Sequence, residues 1–209
     1  MDQTVTVIVD YGMGNLGSIQ NMIRKAGFRS ILSSDIQDIR QAEKLILPGV
    51  GAFDAGMTRL NELGLVTALE ERVIRDKVPI LGICLGLQLF SNKSEEGVKR
   101  RLGWIDADTA RFRFENGSGS LKIPHMGWNT VQTTRESRLF RFLPEDARFY
   151  FVHSYHVLCG RKDDEVLKTR YGYDFTSAVE HDNIYGVQFH PEKSHKFGMR
   201  MLKNFLELT

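Results

Sequence analysis

The order of apolar and polar positions along the first half of the chain predicts strands and helices in alternation. Short apolar runs that end at turn residues predict buried strands over residues 4–9, 30–32, 44–47 and 78–81. Apolar residues at helical spacing predict helices over 16–26, 53–63 and 65–76, and a polar helix or turn over 35–42. Repeated strand–helix units of this length predict an α/β fold, with a mostly parallel sheet and helices on both faces.

Strand patterns are denser in the second half of the chain. Short strands are predicted over 104–114, 129–132, 148–157, 166–171, 177–180 and 184–189, and an amphipathic helix over 197–208. The Asn-Gly-Ser-Gly-Ser run at 116–120 predicts a flexible loop. Because neither a repeat nor a convincing linker interrupts the chain, we expect a single domain over residues 1–209.

Composition and charge exclude several classes of protein. The net charge of +2 gives no strong attraction to nucleic acid or to a membrane surface, so we expect neither as a partner. The apolar runs are too short to span a bilayer, and a basic-then-apolar secretory segment does not precede the first strand. Two cysteines, Cys84 and Cys159, are too few for a disulfide framework. The sequence therefore predicts a cytoplasmic protein with reduced thiols.

The most informative motif places Cys84 at the centre of Gly-Ile-Cys-Leu-Gly, residues 82–86, between an apolar strand and a helix-like run. Glycine on both sides is what a sharp strand-to-helix turn requires, because side chains there would collide with the neighbouring backbone. Such a turn lifts the thiol out of the sheet and directs the first amides of the helix toward the group that the sulfur attacks. An inert buried cysteine is the ordinary alternative, but a cysteine in this turn is typical of a nucleophile.

A second motif, His190-Pro191-Glu192, follows the last predicted strand. Proline ends the strand pairing and leaves an imidazole at the strand tip, with a carboxylate two residues on. A thiol needs a base to become a thiolate, and the base needs an acceptor that orients its second ring nitrogen. Cys84, His190 and Glu192 supply these roles at the carboxyl ends of strands, where open α/β sheets bind ligands. Taken alone, His-Pro-Glu is an ordinary strand end.

A glycine-rich turn, Pro48-Gly49-Val50-Gly51, follows another predicted strand. Acyl transfer to a thiolate develops negative charge on the carbonyl oxygen, which backbone N–H groups must stabilise. The amide of Leu85 at the helix start is one candidate donor, and an amide of Val50 or Gly51 is the other. By itself, the run is better explained as an ordinary strand-to-helix turn.

Taken together, these motifs resemble those of class I (triad-type) glutamine amidotransferases, in which Gly-Ile-Cys-Leu-Gly and His-Pro-Glu are the defining pair. Further runs that match the family lie at 10–16, 47–53, 125–129, 151–155 and 186–193, so the resemblance covers nearly the whole chain. It implies a flavodoxin-like core and a glutaminase that hydrolyses glutamine through a thioester on Cys84. It also implies a heterodimer in which the ammonia passes to a (β/α)8-barrel cyclase or synthase subunit, without a metal or cofactor.

The resemblance assigns roles to individual residues. Cys84 attacks the glutamine carboxamide, His190 exchanges the proton, and Glu192 orients the imidazole. Residues that hold the glutamine are Gly49, Gln88, Glu96, Ser154 and Tyr155, and those near the partner are Asn15, Met126, Trp128, Asn129 and Lys193. Two of these residues also have explanations that involve no function. Glu96, beside Glu95, is also explained as a solvated loop charge, and Trp128 is also explained as a core residue.

Several alternatives remain open at this point. The glycine run at 12–17, with Asp35 after the next strand, matches a dinucleotide fingerprint through Gly12, Gly14 and Gly17, but it does not explain Cys84. A hydrolase of γ-glutamyl substrates without a partner has the same triad, and a scaffold without catalysis is a further alternative. A related glutaminase that supplies another synthetase, such as one that amidates surface-polysaccharide sugars, has the same motifs. His156, where the family often has tyrosine, departs from the pattern.

Overall fold

The structure, a computed structural model, describes residues 5–114 and 121–208. The predicted loop at 116–120 lies outside these residues. The helices are α1 (Leu16–Lys25), α2 (Ile36–Gln41), α3 (Phe53–Glu62), α4 (Leu65–Glu70), α5 (Leu85–Leu89) and α6 (His195–Leu206). The strands are β1 (Thr6–Val9), β2 (Ser30–Ser33), β3 (Lys44–Gly49), β4 (Ile80–Cys84), β5 (Lys93–Ser94), β6 (Ala107–Arg111), β7 (His125–Thr130), β8 (Gln132–Thr133), β9 (Arg148–His153), β10 (Tyr155–Cys159), β11 (Glu165–Tyr171), β12 (Tyr173–His181) and β13 (Ile184–Val187).

The first half of the chain forms a parallel sheet in the strand order β2-β1-β3-β4, and β13 from the end of the chain pairs with β4. This is the flavodoxin-like order of doubly wound α/β folds. All residues of β1, β3 and β4 are buried, because a parallel sheet of this kind is covered on both faces. The predicted α/β fold class is confirmed.

The central strands send alternate residues into two separate cores. Val7 and Leu45 pack with apolar residues of α2 to α5, and Ile8 and Ile46 pack with those of α1 and α6. Burial of these two apolar layers supplies the main driving force for folding. Within the described part of the chain, each helix is too short or too polar to cross a membrane.

The second half extends the sheet with antiparallel strands. β12 pairs with β13, β11 and β10, and β10 pairs in turn with β6. β7 and β9 form an antiparallel ribbon apart from the large sheet. The sheet is therefore mixed: its parallel half presents the ends of β3, β4 and β13 at one edge, and the ribbon and β10 complete the surroundings of that edge.

Several boundaries differ from the sequence prediction. Only β6 forms within 104–114, because the amides of Trp104 and Ile105 bond to the carbonyl of Phe90 instead of joining the ladder. The strand predicted over 148–157 is two strands, since the chain passes at Ser154 from the ribbon to the large sheet. β7 and β12 begin earlier than predicted, and β5 was not predicted. The helix predicted over 65–76 is α4 followed by a π-helical turn at Glu71–Arg75.

Candidate active site

Cys84 occupies the sharp turn between β4 and α5. Its backbone has φ of 55° and ψ of −108°, a conformation that is strained for a residue with a side chain. A Cβ at Gly86 would overlap the carbonyl oxygen of Leu47, and a Cβ at Gly82 would press on the ring of Phe90. The two flanking glycines are therefore required by close approach of neighbouring atoms, as the motif predicts. The turn holds the thiol at the carboxyl edge of the sheet.

His190 and Glu192 lie just beyond β13, the strand paired with β4. Nδ1 of His190 is 2.9 Å from Oε1 of Glu192, and both side chains are only 2% exposed. Burial alone would lower the pKa of His190, but the Cys84 thiolate and the Glu192 carboxylate outweigh burial and raise this pKa to about 10. Nε2 of His190 is buried without a hydrogen-bond partner among the described residues, which leaves it available to the thiol and a substrate.

Two buried glutamines connect Cys84 to β10. Gln88 on α5 donates through Nε2 to the main-chain oxygen of Tyr155 and to Oε1 of Gln188, both at 3.1 Å. Nε2 of Gln188 donates to Sγ of Cys84 at 3.6 Å. Because both N–H groups of Gln88 are used by protein acceptors, this side chain presents only its oxygen to a ligand.

A cavity of about 300 Å³ opens at Cys84. This is at the lower limit of ligand pockets, roughly 300–1,000 Å³, and suits a small substrate. The cavity brings together most residues of the predicted site, namely Val50, Gly51, Leu85, Gln88, Glu96, Ser154 and Tyr155, and its wall is completed by Pro124, Val152 and His153.

Glu96 and its neighbour Glu95 have different surroundings. Oε2 of Glu96 accepts from the amide of Phe53 at 3.0 Å, at the start of α3, and burial raises the pKa of the Glu96 carboxyl. Glu95 instead accepts from the amide of Arg111 at 2.8 Å and pairs with the guanidinium of Arg113 at 2.9 Å. Glu96 therefore belongs to the cavity wall and is not a solvated loop charge. Glu95 instead bonds to Arg111 and Arg113.

Gly49 is the one predicted substrate residue outside the cavity wall. It ends β3 in register with Cys84, and a Cβ there would overlap the hydroxyl of Tyr11 and crowd Leu85. The Tyr11 hydroxyl is buried without a hydrogen-bond partner among the described residues. In the turn that follows β3, Gly51 has φ of 105°, a backbone conformation that favours glycine. Gly49 thus permits close packing beneath the candidate oxyanion turn.

The residues predicted to meet a partner differ in exposure. Met126 and Trp128 point outward from β7 and are 62% and 43% exposed, so Trp128 is not a core residue. Asn129 points to the other face of the strand, where Nδ2 bonds to His125. The remaining two residues, Asn15 at the start of α1 and Lys193 near the ring of Tyr150, are exposed.

The glycine run at 12–17 has a local explanation. Gly12 and Gly14 have φ of 82° and 110°, so the turn after β1 requires glycine there. Gly17 faces open space, and Asp35 caps α2 by accepting from the amide of Gln37 at 2.7 Å. These contacts do not favour a dinucleotide site. In residues 5–114 and 121–208, His, Cys, Asp and Glu side chains do not gather in a group that could hold a metal ion.

Besides Pro124 and Val152, three polar residues around the site received no role in the sequence prediction. They are Gln188, which donates to Cys84, His153, which forms part of the cavity wall, and His125, which bonds to His153 from behind that wall. Gln188 stands two residues before His190, and His153 two residues before Tyr155. Gln188 and His153 each lie among apolar residues of a predicted strand, where a polar side chain indicates a hydrogen-bond partner, and this is the signal that points to both.

A cysteine in a strained strand-to-helix turn, with a buried histidine–carboxylate pair just beyond the adjacent strand, has the geometry of a triad-type acyl-transfer site. The family model described as Glutamine amidotransferase class-I matches residues 7–208. Fold and site together are those of a class I glutamine amidotransferase.

Curated relatives narrow the family further. The chain is 56% identical to imidazole glycerol phosphate synthase subunit HisH 2 of Methanococcus maripaludis, over 96% of this chain and 98% of the relative. It is 50% identical to the protein of the same name from Pseudomonas aeruginosa, over 97% and 99%, and 47% identical to subunit HisH of Bdellovibrio bacteriovorus, over 96% and 98%. The chain belongs to the HisH family of imidazole glycerol phosphate synthase subunits.

Solved structures of more distant proteins share the fold. PurLQS from Thermotoga maritima has a TM-score of 0.72 at 16% identity, with 98% of each chain covered. A glutamine amidotransferase from the same organism has a TM-score of 0.64 at 18% identity, with 92% of this chain and 77% of that chain covered. At these identities the likeness concerns the fold alone.

Proposed function

We propose that the protein hydrolyses glutamine to glutamate and ammonia through a thioester on Cys84. We further propose that it supplies the ammonia, in the cytoplasm, to a (β/α)8-barrel cyclase subunit that makes imidazole glycerol phosphate in histidine biosynthesis. The observation that carries the proposal is the position of Cys84, at a strained turn between the His190–Glu192 pair and a cavity of about 300 Å³. Membership in the HisH family supports the choice of glutamine and of the synthase.

The first half-reaction forms the thioester. The Cys84 thiolate attacks the γ-carboxamide carbon of glutamine, while the proton of the thiol resides on His190. The amide of Leu85, with an amide of Val50 or Gly51, stabilises the negative oxygen of the tetrahedral intermediate. The carbon–nitrogen bond then breaks as His190 gives its proton to the leaving nitrogen, which departs as ammonia.

The second half-reaction releases glutamate. His190, now neutral, takes a proton from water, and the resulting hydroxide attacks the thioester carbon. The carbon–sulfur bond breaks, which restores the Cys84 thiolate beside a protonated His190. Glu192 stabilises the charged imidazole in both half-reactions, because its carboxylate lies 2.9 Å from Nδ1.

Residues of the cavity wall hold the glutamine for this chemistry. Gln88 offers its side-chain oxygen, since both of its N–H groups are bonded within the protein. Glu96 supplies a carboxylate for the α-ammonium group, and the main chain of Ser154 and Tyr155 contacts the glutamine main chain. A charged carboxylate facing an ammonium group is the kind of interaction that fixes orientation as well as affinity.

The partner surface is proposed on the outer side of β7. Met126 and Trp128 present exposed apolar side chains there, and Trp128 stacks on His195 with ring centroids 5.3 Å apart. Large aromatic side chains of this kind contribute strongly to interfaces. Asn15 and Lys193 add polar groups to the same proposed junction.

Reconstitution with the cyclase subunit tests the function. We expect the chain alone to form glutamate slowly from glutamine, and the rate to rise when the cyclase, together with its substrate, is added. Equal activity with and without the cyclase would instead indicate a hydrolase that works without a partner. If the cyclase gives no stimulation and another synthetase does, the chain is a glutaminase for that other enzyme.

A further inference from the structure

Two buried histidines outside the triad connect β7 to the glutamine cavity. Nδ1 of His153 lies 2.7 Å from the main-chain oxygen of Tyr155, and its Nε2 lies 3.1 Å from Nδ1 of His125. Nε2 of His125 lies 3.2 Å from Nδ2 of Asn129, which also donates to the main-chain oxygen of Arg170 at 3.0 Å. We term the set Asn129, His125, His153 and the Tyr155 carbonyl the histidine relay.

Each hydrogen bond of the histidine relay is donated in the same direction, from Asn129 toward the Tyr155 carbonyl. A carbonyl oxygen only accepts, so Nδ1 of His153 carries a hydrogen. Burial lowers the pKa of His153 well below its ordinary value and that of His125 to about 4, so both rings are neutral at neutral pH. A neutral ring with its hydrogen on Nδ1 accepts at Nε2. His125 therefore donates to His153 and accepts from the amide of Asn129.

The network continues from the relay to the nucleophile. The Tyr155 carbonyl that accepts from His153 also accepts from Gln88 at 3.1 Å. Gln88 donates in turn to Gln188, which donates to Sγ of Cys84. Because the carbonyl fixes which end of each amide is the nitrogen, the orientation of both glutamines follows from the position of Tyr155.

Packing alone does not require histidine at these positions. His125 stacks on the rings of Tyr171 and Phe151, with centroids 4.1 Å and 4.8 Å away. A phenylalanine would fill this space without burying polar atoms. Burying ring nitrogens is unfavourable unless they are hydrogen-bonded. The bonds of the relay compensate this cost and hold one main-chain carbonyl in place.

We propose that His125 and His153 are positioning residues that fix the Tyr155 main chain and the Gln88 amide for glutamine, and that they transmit docking of a partner on β7 to the cavity at Cys84. The inference rests on the proposed glutaminase function and deepens it. The outer face of β7 carries Met126 and Trp128, while Asn129 lies on the inner face. A displacement of this strand therefore moves the first donor of the relay.

The first test compares two substitutions of one ring, in the complex with the cyclase subunit. His153→Asn keeps an amide near the place of Nδ1 and can donate to Tyr155, whereas His153→Gln places its amide near Nε2. We expect His153→Gln to raise KM for glutamine about tenfold, the factor that corresponds to about 1.4 kcal/mol, and His153→Asn to recover most of that loss. Equal KM values in the two variants would mean that the ring serves packing only.

His156→Asn is the matched control. His156 is as deeply buried as His153, follows Tyr155 directly and bonds to the Tyr173 hydroxyl at 2.9 Å, outside the relay. The His156→Asn variant should leave KM for glutamine unchanged. A rise in KM equal to that of His153→Gln would assign the effect to general damage of the aromatic cluster and overturn the relay.

His125→Phe tests the transmission from β7. This substitution keeps the stack on Tyr171 but removes both ring nitrogens. We expect the stimulation of glutamine hydrolysis by the liganded cyclase subunit to fall by about fivefold or more, the lower end of ordinary coupling between sites. Wild-type stimulation in a folded His125→Phe complex would contradict the proposed transmission.

The tautomers test the relay without any activity. In protein labelled with ¹⁵N-histidine at neutral pH, we expect both His125 and His153 to be neutral with hydrogen on Nδ1. A charged ring or an Nε2–H tautomer at either position overturns the relay, whether or not the protein hydrolyses glutamine. Absence of glutamate formation by the wild-type complex, in contrast, contradicts the proposed function only.

Discussion

Nδ1 of His190 lies 2.9 Å from Oε1 of Glu192, with both side chains almost completely buried. This contact orients the imidazole so that its other nitrogen, Nε2, is left for Cys84 and the substrate. It also favours the charged form of the ring, since a buried imidazolium beside a carboxylate is stabilised by their attraction. The pair thus determines which ring nitrogen of His190 faces Cys84 and, together with Cys84, favours the charged form of the ring.

The charge of His190 predicts a pH dependence of stability. The pKa of His190 is raised from its ordinary value of 6.5 to about 10 in the folded protein. Its ionisation therefore stabilises the fold fully below pH 6.5, and this stabilisation is lost as pH rises toward 10. We expect the difference in free energy of unfolding between wild type and His190→Gln to decrease over this range, as measured by urea unfolding under reducing conditions. A difference that grows with pH would mean that the pKa is not raised.

The backbone of Cys84 predicts an unusual order of stabilities among its variants. With φ of 55° and ψ of −108°, any side chain at this position is strained, and glycine is not. Cys84→Gly should be more stable than Cys84→Ala by about 1 kcal/mol, although glycine costs entropy in an ordinary strand. Thermal or urea unfolding of the two variants checks this. If the alanine variant is the more stable, the turn is not strained.

The separate environments of Glu96 and Glu95 predict separate effects. Glu96→Gln removes a charge from the cavity wall, so KM for glutamine should rise about tenfold while the free energy of unfolding changes little. Glu95→Gln weakens an exposed pair with Arg113 and should leave KM unchanged, with a stability effect below about 1 kcal/mol. Steady-state glutaminase kinetics of both variants measures the two KM values. A larger KM effect at Glu95 would reverse the assignment.

Close packing of Gly49 against Tyr11 predicts coupling between the two positions. Gly49→Ala should destabilise the fold by about 2 kcal/mol, because its Cβ overlaps the Tyr11 hydroxyl. Tyr11→Phe should be nearly neutral, since that hydroxyl is buried without a partner among the described residues. In the double variant we expect about 1 kcal/mol of the lost stability to be recovered. Recovery is only partial because the added Cβ still crowds Leu85. Strict additivity of the unfolding free energies would rule out this contact.

The fold class and the residues of the proposed triad follow from local patterns that are visible in the sequence. Buried parallel strands appear as short apolar runs, and the turn at Cys84 needs glycine on both sides for steric reasons that hold in any chain. The boundaries in the second half follow from tertiary contacts instead. Trp104 and Ile105 have strand-like character, yet they bond to Phe90, and the break at Ser154 depends on which sheet accepts each half of the run.

Gln188 and the two histidines of the proposed relay could not be predicted in the same way. Nothing near Gln188 in the chain shows that its amide meets Gln88, which is 100 residues away. The contact between His125 and His153 likewise arises only when β7 pairs with β9. A buried polar residue in a strand signals that a partner exists, but the fold decides which one.

In the proposed function, Cys84 and His190 together release ammonia from glutamine for use by the partner subunit. Cys84→Ala and His190→Ala each remove one member of a unit that works together, so the loss of glutamine-dependent synthesis should exceed about 10³-fold. Under the proposed function the cyclase subunit carries a separate active site, so its synthesis should not be affected by these changes when ammonia is added directly.

The most direct measurement compares imidazole glycerol phosphate formation by the wild-type and Cys84→Ala complexes, first with glutamine and then with added ammonium salt. We expect the Cys84→Ala complex to be inactive with glutamine and to match wild type with ammonia. Undiminished synthesis from glutamine, or an equal loss with both nitrogen sources in an intact complex, would contradict the assignment of Cys84 as the glutamine nucleophile.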